Sequence, residues 1–212
     1  MRTGGLEMSR IFDELFVRYP VLDVCKNDIE NAYNAMVECY DNGGKLLCCG
    51  NGGSAADCDH LVGELMKGFL KKRPLSDNEK QSFENPFIAD SLQKGLPAIS
   101  LCAHSALMTA FSNDEIPSLV FAQQVYAYAK KHDVLVAFST SGNSENVVYA
   151  AEAAKAADIK SVAITGKKES KLSNICDVCI RLPETETYKI QELTLPVYHC
   201  LAAMIEEKYF EI

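Results

Sequence analysis

The sequence predicts an α/β protein whose core is a doubly wound, five-stranded parallel sheet. Five short apolar runs alternate along the chain with stretches of helical length and periodicity. The runs are continuously apolar rather than alternating in polarity, which is typical of strands that helices cover on both faces. Such a sheet has a flavodoxin-like organisation, and its ligands bind beyond the carboxyl ends of the strands.

The composition favours one globular domain and excludes several classes of partner. The chain has 212 residues, of which 48% are hydrophobic and 24% charged, and this is ordinary for a folded domain. Lys and Arg number 21 against 29 Asp and Glu, a net charge of −8. This acidic balance disfavours binding to nucleic acid or to an anionic membrane. The nine cysteines, two of them adjacent in a strand-like run, suit buried reduced thiols and a cytoplasmic protein.

Residues 1–44 are predicted to form a tail followed by a helical hairpin. Apolar residues recur at three- and four-residue steps from Met8 to Asp41, and Pro20 divides this stretch into two helices. The hairpin packs either on a face of the sheet or on a partner subunit, and the sequence leaves both alternatives open.

Residues 45–212 are assigned to the α/β domain itself. The predicted strands are Leu46–Cys49, Ala98–Cys102, Val134–Phe138, Val162–Ile164 and Val178–Leu182. Helices are predicted near 54–70, 104–111, 116–131, 144–157, 168–175 and 187–209.

A polar insertion near residues 71–95 interrupts this alternation. It contains Pro74 and Pro86 and has no clear period, so we expect an excursion with at most a short helix. It is a lid, a subunit contact or a plain surface insertion. The basic run that opens it, residues 71–73, is expected to be solvated.

The first predicted strand ends in a glycine-rich loop, Gly50–Ser54, that leads into a helix. Glycines let the backbone approach a ligand, and the free N–H groups at a helix start suit an anion. The alternative is a tight strand-to-helix turn with no ligand. The loop fits neither of the common nucleotide-binding patterns, so no nucleotide cofactor is expected.

The third predicted strand ends in a hydroxyl-rich loop, again just before a helix. Its hydroxyls and the helix N-terminus can surround a phosphate, whereas Asn143 or Ser144 capping the helix is the purely structural alternative. Two such loops at one edge of a sheet indicate a phosphorylated ligand. The hydroxyl residues are Ser139, Thr140, Ser141 and Ser144.

Four further polar residues lie on the helices that flank these loops. His60 and Glu64 are four apart and share a helix face. Gln191 and His199 are eight apart, about 12 Å along a helix, and converge on one cavity only if it lies between two helices or if a proline bends the helix. From spacing alone, a metal site, acid–base catalysis and no role at all remain open.

These residues together resemble the sugar isomerase (SIS) family, and within it the phosphoheptose isomerases. The resemblance covers about residues 8–212. It rests on CGNGGSAADCDH (49–60) with Glu64, on STSGNS (139–144), and on Ile190-Gln191-Glu192 with His199. Members of this family interconvert sedoheptulose 7-phosphate and D-glycero-D-manno-heptose 7-phosphate, a step towards activated manno-heptose.

The resemblance implies a complete set of site residues. Glu64 is implied as the base and His199 as the acid of an enediol mechanism, and a homotetramer with active sites between subunits is implied as the assembly. A zinc ion is implied on His60, Glu64, Gln191 and His199. The implied substrate contacts are Asn51, Gly52, Gly53, Ser54, Glu64, Asn113, Asp114, Ser139, Thr140, Ser141, Ser144 and Gln191.

Three departures from the family pattern and one rival function qualify this interpretation. The insertion Lys71–Lys94 is longer than the connection usual in these isomerases. Gly68 stands where the family has a basic Arg, and Tyr188 stands in place of an Asp. The rival is a non-catalytic SIS protein that senses a phosphosugar or binds a protein partner, as replication-initiator-binding relatives do. Those relatives tend to lack the acid and the base, which favours the enzyme. An isolated C-x-x-C at Cys176 and Cys179 is predicted to have no metal or redox role.

Overall fold

The computed structural model describes residues 10–210 and confirms the predicted fold class. The strands are β1 (Leu46–Cys49), β2 (Ala98–Ser100), β3 (Val134–Phe138), β4 (Lys160–Thr165) and β5 (Val178–Arg181). Within the described residues they form one sheet in the order β2-β1-β3-β4-β5, in which all neighbours are parallel. Since β1 and β3 are neighbours, the strand order reverses between them, and a crevice opens at their carboxyl ends.

Helices cover the sheet on both faces. They are α1 (Arg10–Arg18), α2 (Lys26–Asp41), α3 (Gly53–Met66), α4 (Asp77–Lys80), α5 (Pro86–Ser91), α6 (Ser105–Asp114), α7 (Val120–Tyr128), α8 (Glu145–Ala156), α9 (Lys171–Ile175) and α10 (Thr187–Tyr209). No helix within residues 10–210 combines the length and the apolarity needed to cross a bilayer.

Successive side chains of each strand enter opposite cores, which explains why the strands are continuously apolar. In β1, Leu46 and Cys48 pack into the core beneath α2, α3 and α10, whereas Leu47 and Cys49 pack into the core beneath α7 and α8. All four side chains are fully buried. A strand that is buried on both faces has no polar face to show in its sequence.

The N-terminal hairpin packs on one face of the sheet. A 3₁₀ segment, Pro20–Cys25, separates α1 from α2, which confirms the predicted break at the proline. Phe12 and Ile29 are fully buried and belong to the same core as β1 and α10. The domain boundary at residue 44 stays a prediction, since hairpin and sheet share this core.

Some helix boundaries differ from the prediction because a proline or an extended residue starts or ends the helix there. The stretch 116–131 is a 3₁₀ turn at Pro117–Leu119 followed by α7, because a proline starts a helical segment but cannot continue one. Helix α3 ends at Met66, since Lys67 is extended. The insertion carries two short helices, α4 and α5, where at most one is predicted.

The predicted solvation of the basic run 71–73 is wrong for its last residue. Arg73 is 1% exposed, and its Nε donates to Oε1 of Glu206 at 2.8 Å. Its two terminal nitrogens donate to the carbonyl oxygens of Leu65 and Glu64, at 2.6 and 3.1 Å. A guanidinium with all sides paired can be buried, and this one ties the insertion to the end of α3.

Candidate active site

The glycine-rich loop lies at the carboxyl end of β1, in the crevice that the strand order creates. Gly52 has φ +56°, which glycine adopts without strain, and it stands immediately before α3. The side-chain amides of Asn51 and Asn146 exchange two hydrogen bonds, of 2.9 and 2.8 Å. Since Asn146 is on the first turn of α8, this pair joins the glycine-rich loop to the hydroxyl-rich loop.

The hydroxyl-rich loop follows β3 and turns sharply into α8. Gly142 has φ +64°, and a Cβ there would lie 2.1 Å from the Oγ of Ser170, so only glycine fits. The hydroxyls of Ser139 and Ser144 lie 3.0 Å apart. Ser144 occupies the N-cap position but its side chain makes no capping hydrogen bond. The capping alternative therefore does not account for this hydroxyl, which faces its neighbour in the loop instead.

Helix α3 presents a carboxylate between an imidazole and an ammonium group. Oε1 of Glu64 lies 3.1 Å from Nε2 of His60, and Oε2 accepts a hydrogen bond of 3.1 Å from Lys67. The Glu64 side chain is 13% exposed and that of His60 44%. The Glu64 carboxylate is therefore held in place at the surface of a crevice and is not buried in the core.

Helix α10 brings His199 to the same point. Its Nε2 lies 3.5 Å from Nε2 of His60, and the two rings meet edge to face with centroids 4.9 Å apart. The ring of Phe69 packs against His199 at 5.3 Å. Burial, and then the neighbouring His60, lower the pKa of His199 below its ordinary value of 6.5. The lowered pKa favours the neutral imidazole of His199 at pH 7.

Gln191 and His199 converge on α3 because the two helices run side by side in the same direction. A Cβ on Gly53 would lie 2.5 Å from Nε2 of Gln191, so Gln191 packs against the start of α3. His199 faces His60, seven residues later on α3. These side chains meet between the two helices, which is one of the two arrangements that the sequence leaves open. The structure thus joins His60, Glu64 and His199, and places Gln191 beside the glycine-rich loop.

Sequence reasoning misses a residue that orients His60. The hydroxyl of Tyr198 lies 2.9 Å from Nδ1 of His60, within hydrogen-bond distance. Burial and the nearby Asp57 raise the pKa of Tyr198, so its hydroxyl stays protonated. The hydroxyl donates to Nδ1 of His60, which leaves the proton on Nε2, where it faces the Glu64 carboxylate at 3.1 Å. His60 and Tyr198 lie on different helices, so no helical spacing in the sequence signals this contact.

Asn113 and Asp114 lie at the end of α6 and are not brought into this crevice by a contact with the residues above. Asn113 donates to the carboxylate of Asp114 at 2.8 Å, and both residues are exposed. None of the residues of α6 is buried. Only Met108 and Phe111 of this helix pack, partly buried, against the core.

The chain matches known sequences over most of its length. Residues 106–204 match the SIS domain family, and residues 21–93 match a second SIS domain family. A phosphoheptose isomerase from Rhodospirillum rubrum is 36% identical over 194 residues, which cover 92% of this chain and 91% of the relative. The chain belongs to the phosphoheptose isomerase family. A family member from Shewanella frigidimarina is 38% identical over 185 residues, 86% of this chain and 84% of the relative.

Solved structures of the phosphoheptose isomerase family share the fold. The enzyme from Francisella tularensis has a TM-score of 0.76 at 32% identity, and the match covers 92% of this chain and 94% of that one. GmhA from Neisseria gonorrhoeae has a TM-score of 0.74 at 30% identity, covering 92% and 95%.

The departures from the family pattern have local explanations. A Cβ on Gly68 would lie 2.2 Å from the carbonyl oxygen of Lys71, and the N–H of Gly68 donates to Gln93 at 3.0 Å. Glycine is required here because the two ends of the insertion close against it. Tyr188 is 57% exposed at the start of α10 and stacks under the ammonium of Lys189.

Proposed function

We propose that this chain isomerises sedoheptulose 7-phosphate to D-glycero-D-manno-heptose 7-phosphate through an enediol, in the biosynthesis of activated manno-heptose. The observation that carries the proposal is the meeting of Glu64, His60 and His199 at 3.1 and 3.5 Å. They meet next to two anion-suited loops, at the sheet edge where ligands of such folds bind. The membership of the chain in the phosphoheptose isomerase family supports the same reaction.

The reaction requires one group to move a proton between adjacent carbons. A second group must donate a proton to the oxygens on those carbons and accept it back. Glu64 is the base, because its carboxylate is fixed by two partners and remains partly exposed to a ligand. His199, whose lowered pKa favours the neutral form at pH 7, donates its N–H to the substrate's carbonyl oxygen and accepts the proton back. An enediolate forms between them, and donors aimed at its oxygens lower the barrier.

The phosphate is held by the hydroxyl-rich loop. The loop offers hydroxyl groups and the N-terminus of a twelve-residue helix, α8. A cleft of about 230 Å³ opens beside it, and Thr140, Ser141, Asn143, Lys167 and Lys168 line it together with the acidic Glu169 and Glu184. In a chain of net charge −8, this local set of donors is what makes the binding of an anion favourable. The glycine-rich loop contacts the sugar end of the same ligand.

The donor set fits a zinc ion, although within residues 10–210 no three His, Cys, Asp or Glu side chains are already arranged as a metal centre. Zinc–ligand bonds of 2.0–2.2 Å place tetrahedral ligands about 3.3 Å apart, close to the 3.1 and 3.5 Å separations around His60. Zinc on Nε2 of His60 would require the ring proton on Nδ1, where the hydroxyl oxygen of Tyr198 can accept it. His60, Glu64, His199 and Gln191 would hold the ion, which would polarise oxygens of the substrate. Glu64 and His199 cannot be tight ligands and free proton carriers at one instant, so each would serve these two roles at different steps.

Zinc affinity is expected to depend on Tyr198. Tyr198→Phe removes the hydroxyl that fixes the His60 ring, and partners of this kind are worth about 10–100-fold in metal affinity. The measurement is competition for zinc against a chromogenic chelator. The matched control is Tyr126→Phe, because Tyr126 is 80% exposed. Equal affinities of Tyr198→Phe and the wild type would rule out the orienting role, and no zinc binding by the wild type would rule out the site.

A homotetramer with active sites between subunits would explain why helix α6 and a groove beside the site are exposed in a single chain. Helix α6 has no buried residue, yet it carries the apolar Leu107 and ends at the exposed Asn113-Asp114 pair. A groove of about 390 Å³, lined by Leu15, Leu195 and His199 among others, opens on the other side of the site. A neighbouring subunit that covers these surfaces would deliver its Asn113 and Asp114 to the ligand.

The cytoplasm is the proposed compartment, because all nine cysteines are free thiols. The rival function is the non-catalytic phosphosugar sensor. The cluster of the Glu64 carboxylate, His60 and His199 favours the enzyme, since a sensor needs only the two loops.

Turnover of sedoheptulose 7-phosphate by zinc-loaded protein tests the proposal. We expect the aldose product by NMR and, for a reaction run in D₂O, deuterium at its carbon 2, because an enediol exchanges that hydrogen with solvent. Ketose phosphates of five and six carbons serve as controls of chain length. Binding of the heptose phosphate without turnover would favour the sensor, and faster turnover of a shorter ketose would reassign the substrate.

A further inference from the structure

The two imidazoles of the site are held by different kinds of contact. An imidazole with a chemical role is usually oriented by a hydrogen bond to its second nitrogen, and His60 has the Tyr198 hydroxyl at 2.9 Å from Nδ1. In the described part of the chain, the imidazole of His199 has no hydrogen-bond partner except Nε2 of His60, at 3.5 Å. Its ring lies instead against the rings of Phe69, Tyr198 and His60, with centroids 5.3, 5.0 and 4.9 Å away. The orientation of His199 therefore depends on ring packing.

A buried carboxylate fixes the segment that carries the first of these rings. Phe69 follows the end of α3 at Met66 and lies outside any helix. The N–H of Phe69 donates to Oε1 of Glu206 at 2.8 Å, and the next two N–H groups donate to Oε2 at 2.7 and 3.1 Å. Glu206 is 1% exposed and lies on α10, the helix that also carries His199. Glu206 thus sets where the Phe69 backbone lies relative to that helix.

The cation that pairs with Glu206 is bound to the end of α3 as well. Nε of Arg73 donates to Oε1 of Glu206 at 2.8 Å. Its terminal nitrogens donate to the main-chain carbonyl oxygens of Leu65 and Glu64, at 2.6 and 3.1 Å. The Arg73–Glu206 pair therefore joins the helix that carries the proposed base to the helix that carries His199.

We propose that Phe69 is a positioning residue for His199, and that the buried Arg73–Glu206 pair acts on the reaction through Phe69. The inference rests on the proposed isomerase function, in which His199 exchanges a proton with the oxygens of the substrate. Without the ring of Phe69, the imidazole loses one of the three surfaces that hold it. A misplacement of about 1 Å at a reacting group can cost about 100-fold in rate. Phe69 has no group that can take part in proton transfer, so its effect on kcat comes from the position of His199.

Steady-state kinetics of zinc-loaded variants test this role. Phe69→Ala should lower kcat for sedoheptulose 7-phosphate by about 10–100-fold and leave KM nearly unchanged, whereas Phe69→Tyr keeps the ring and should retain most of the wild-type kcat. The matched control is Phe87→Ala, which removes a ring that is 76% exposed on α5 and should change neither constant. A loss that appears in KM alone would make Phe69 a substrate contact. That result, an unaltered kcat in Phe69→Ala, or equal losses in Phe69→Ala and Phe69→Tyr would overturn the proposal.

NMR of the metal-free protein measures the position of His199 without turnover. The chain has four histidines, so selective labelling of histidine gives few ring signals. We expect a nuclear Overhauser effect between the rings of His60 and His199 in the wild type, because they meet edge to face. It should weaken strongly in Phe69→Ala and persist in Phe69→Tyr and Phe87→Ala. An equally strong effect in Phe69→Ala would overturn the positioning role. A wild type that does not isomerise the heptose phosphate would contradict the proposed function, whereas this comparison would still decide whether Phe69 positions His199.

A double-mutant cycle tests the link between the ion pair and Phe69. Glu206→Gln should lower kcat in the wild-type background and have much less effect in the Phe69→Ala background, because both changes act through the same ring. Losses that multiply would show that the ion pair does not act through Phe69. Glu206→Asp keeps the charge but shortens the side chain by one carbon, and it takes the place of Glu206→Gln in the cycle if that variant fails to fold.

Discussion

Glu64→Gln lowers kcat for sedoheptulose 7-phosphate by about 10²–10⁴-fold, the contribution usual for a positioned general base. Glutamine has nearly the shape of glutamate and can still present an oxygen to His60, but it cannot accept a proton from carbon. KM is expected to change far less than kcat, because the hydroxyl-rich loop that holds the phosphate and the glycine-rich loop that contacts the sugar do not involve this side chain. Steady-state kinetics of the zinc-loaded variant give both numbers.

Two controls make this result specific to the base. Glu152→Gln changes an exposed carboxylate on α8 and should leave kcat unaltered. The zinc content of Glu64→Gln is measured alongside, since loss of the metal and loss of the base would both lower turnover. A variant that keeps its zinc and retains more than about a tenth of the wild-type kcat would remove Glu64 from the role of base.

The fold and the position of the site follow from the sequence because they depend on local signals. Continuous apolar strands are visible one at a time, and parallel strands place their carboxyl ends at one edge. The Gly50–Ser54 loop and the STSGNS loop must therefore meet, and the Asn51–Asn146 hydrogen bonds show that they do. The last helix is predicted from 187 to 209 and runs from Thr187 to Tyr209.

What the sequence does not reveal depends on contacts between distant residues. Tyr198 reads as one more apolar residue of α10, and only the packing of that helix on α3 places its hydroxyl on His60. Arg73 belongs to a basic run in a polar insertion, where a solvated side chain is the ordinary expectation. Its partner Glu206 is 133 residues away, so no periodicity links the two.

The second prediction with a large expected effect concerns the buried Arg73–Glu206 pair, which holds the segment after α3 in place. Both carboxylate oxygens of Glu206 are used: Oε1 accepts from the N–H of Phe69 at 2.8 Å and Oε2 from those of Leu70 and Lys71 at 2.7 and 3.1 Å. Arg73 adds a fourth donor to Oε1 at 2.8 Å. Phe69, which packs on His199, is thereby positioned by a carboxylate at the far end of α10.

Glu206→Gln should lower the free energy of unfolding at pH 7 by about 3–5 kcal/mol, the cost of leaving one charge of a buried pair without its partner. Glutamine offers one acceptor oxygen where four donors converge, and its own N–H₂ faces N–H groups.

Burial opposes the charge on Glu206, but the backbone donors and Arg73 outweigh it and lower its pKa below 4.5. The stabilisation is therefore complete above that pH and is lost as pH falls through the lower, folded-state pKa. Urea unfolding at neutral pH and near pH 3 should show the gap between the variant and the wild type narrowing in acid, since protonated Glu206 resembles glutamine. Glu38→Gln breaks the exposed pair with Lys160 and should change stability little; a similar small loss from Glu206→Gln would mean that Arg73 and the backbone donors find other partners.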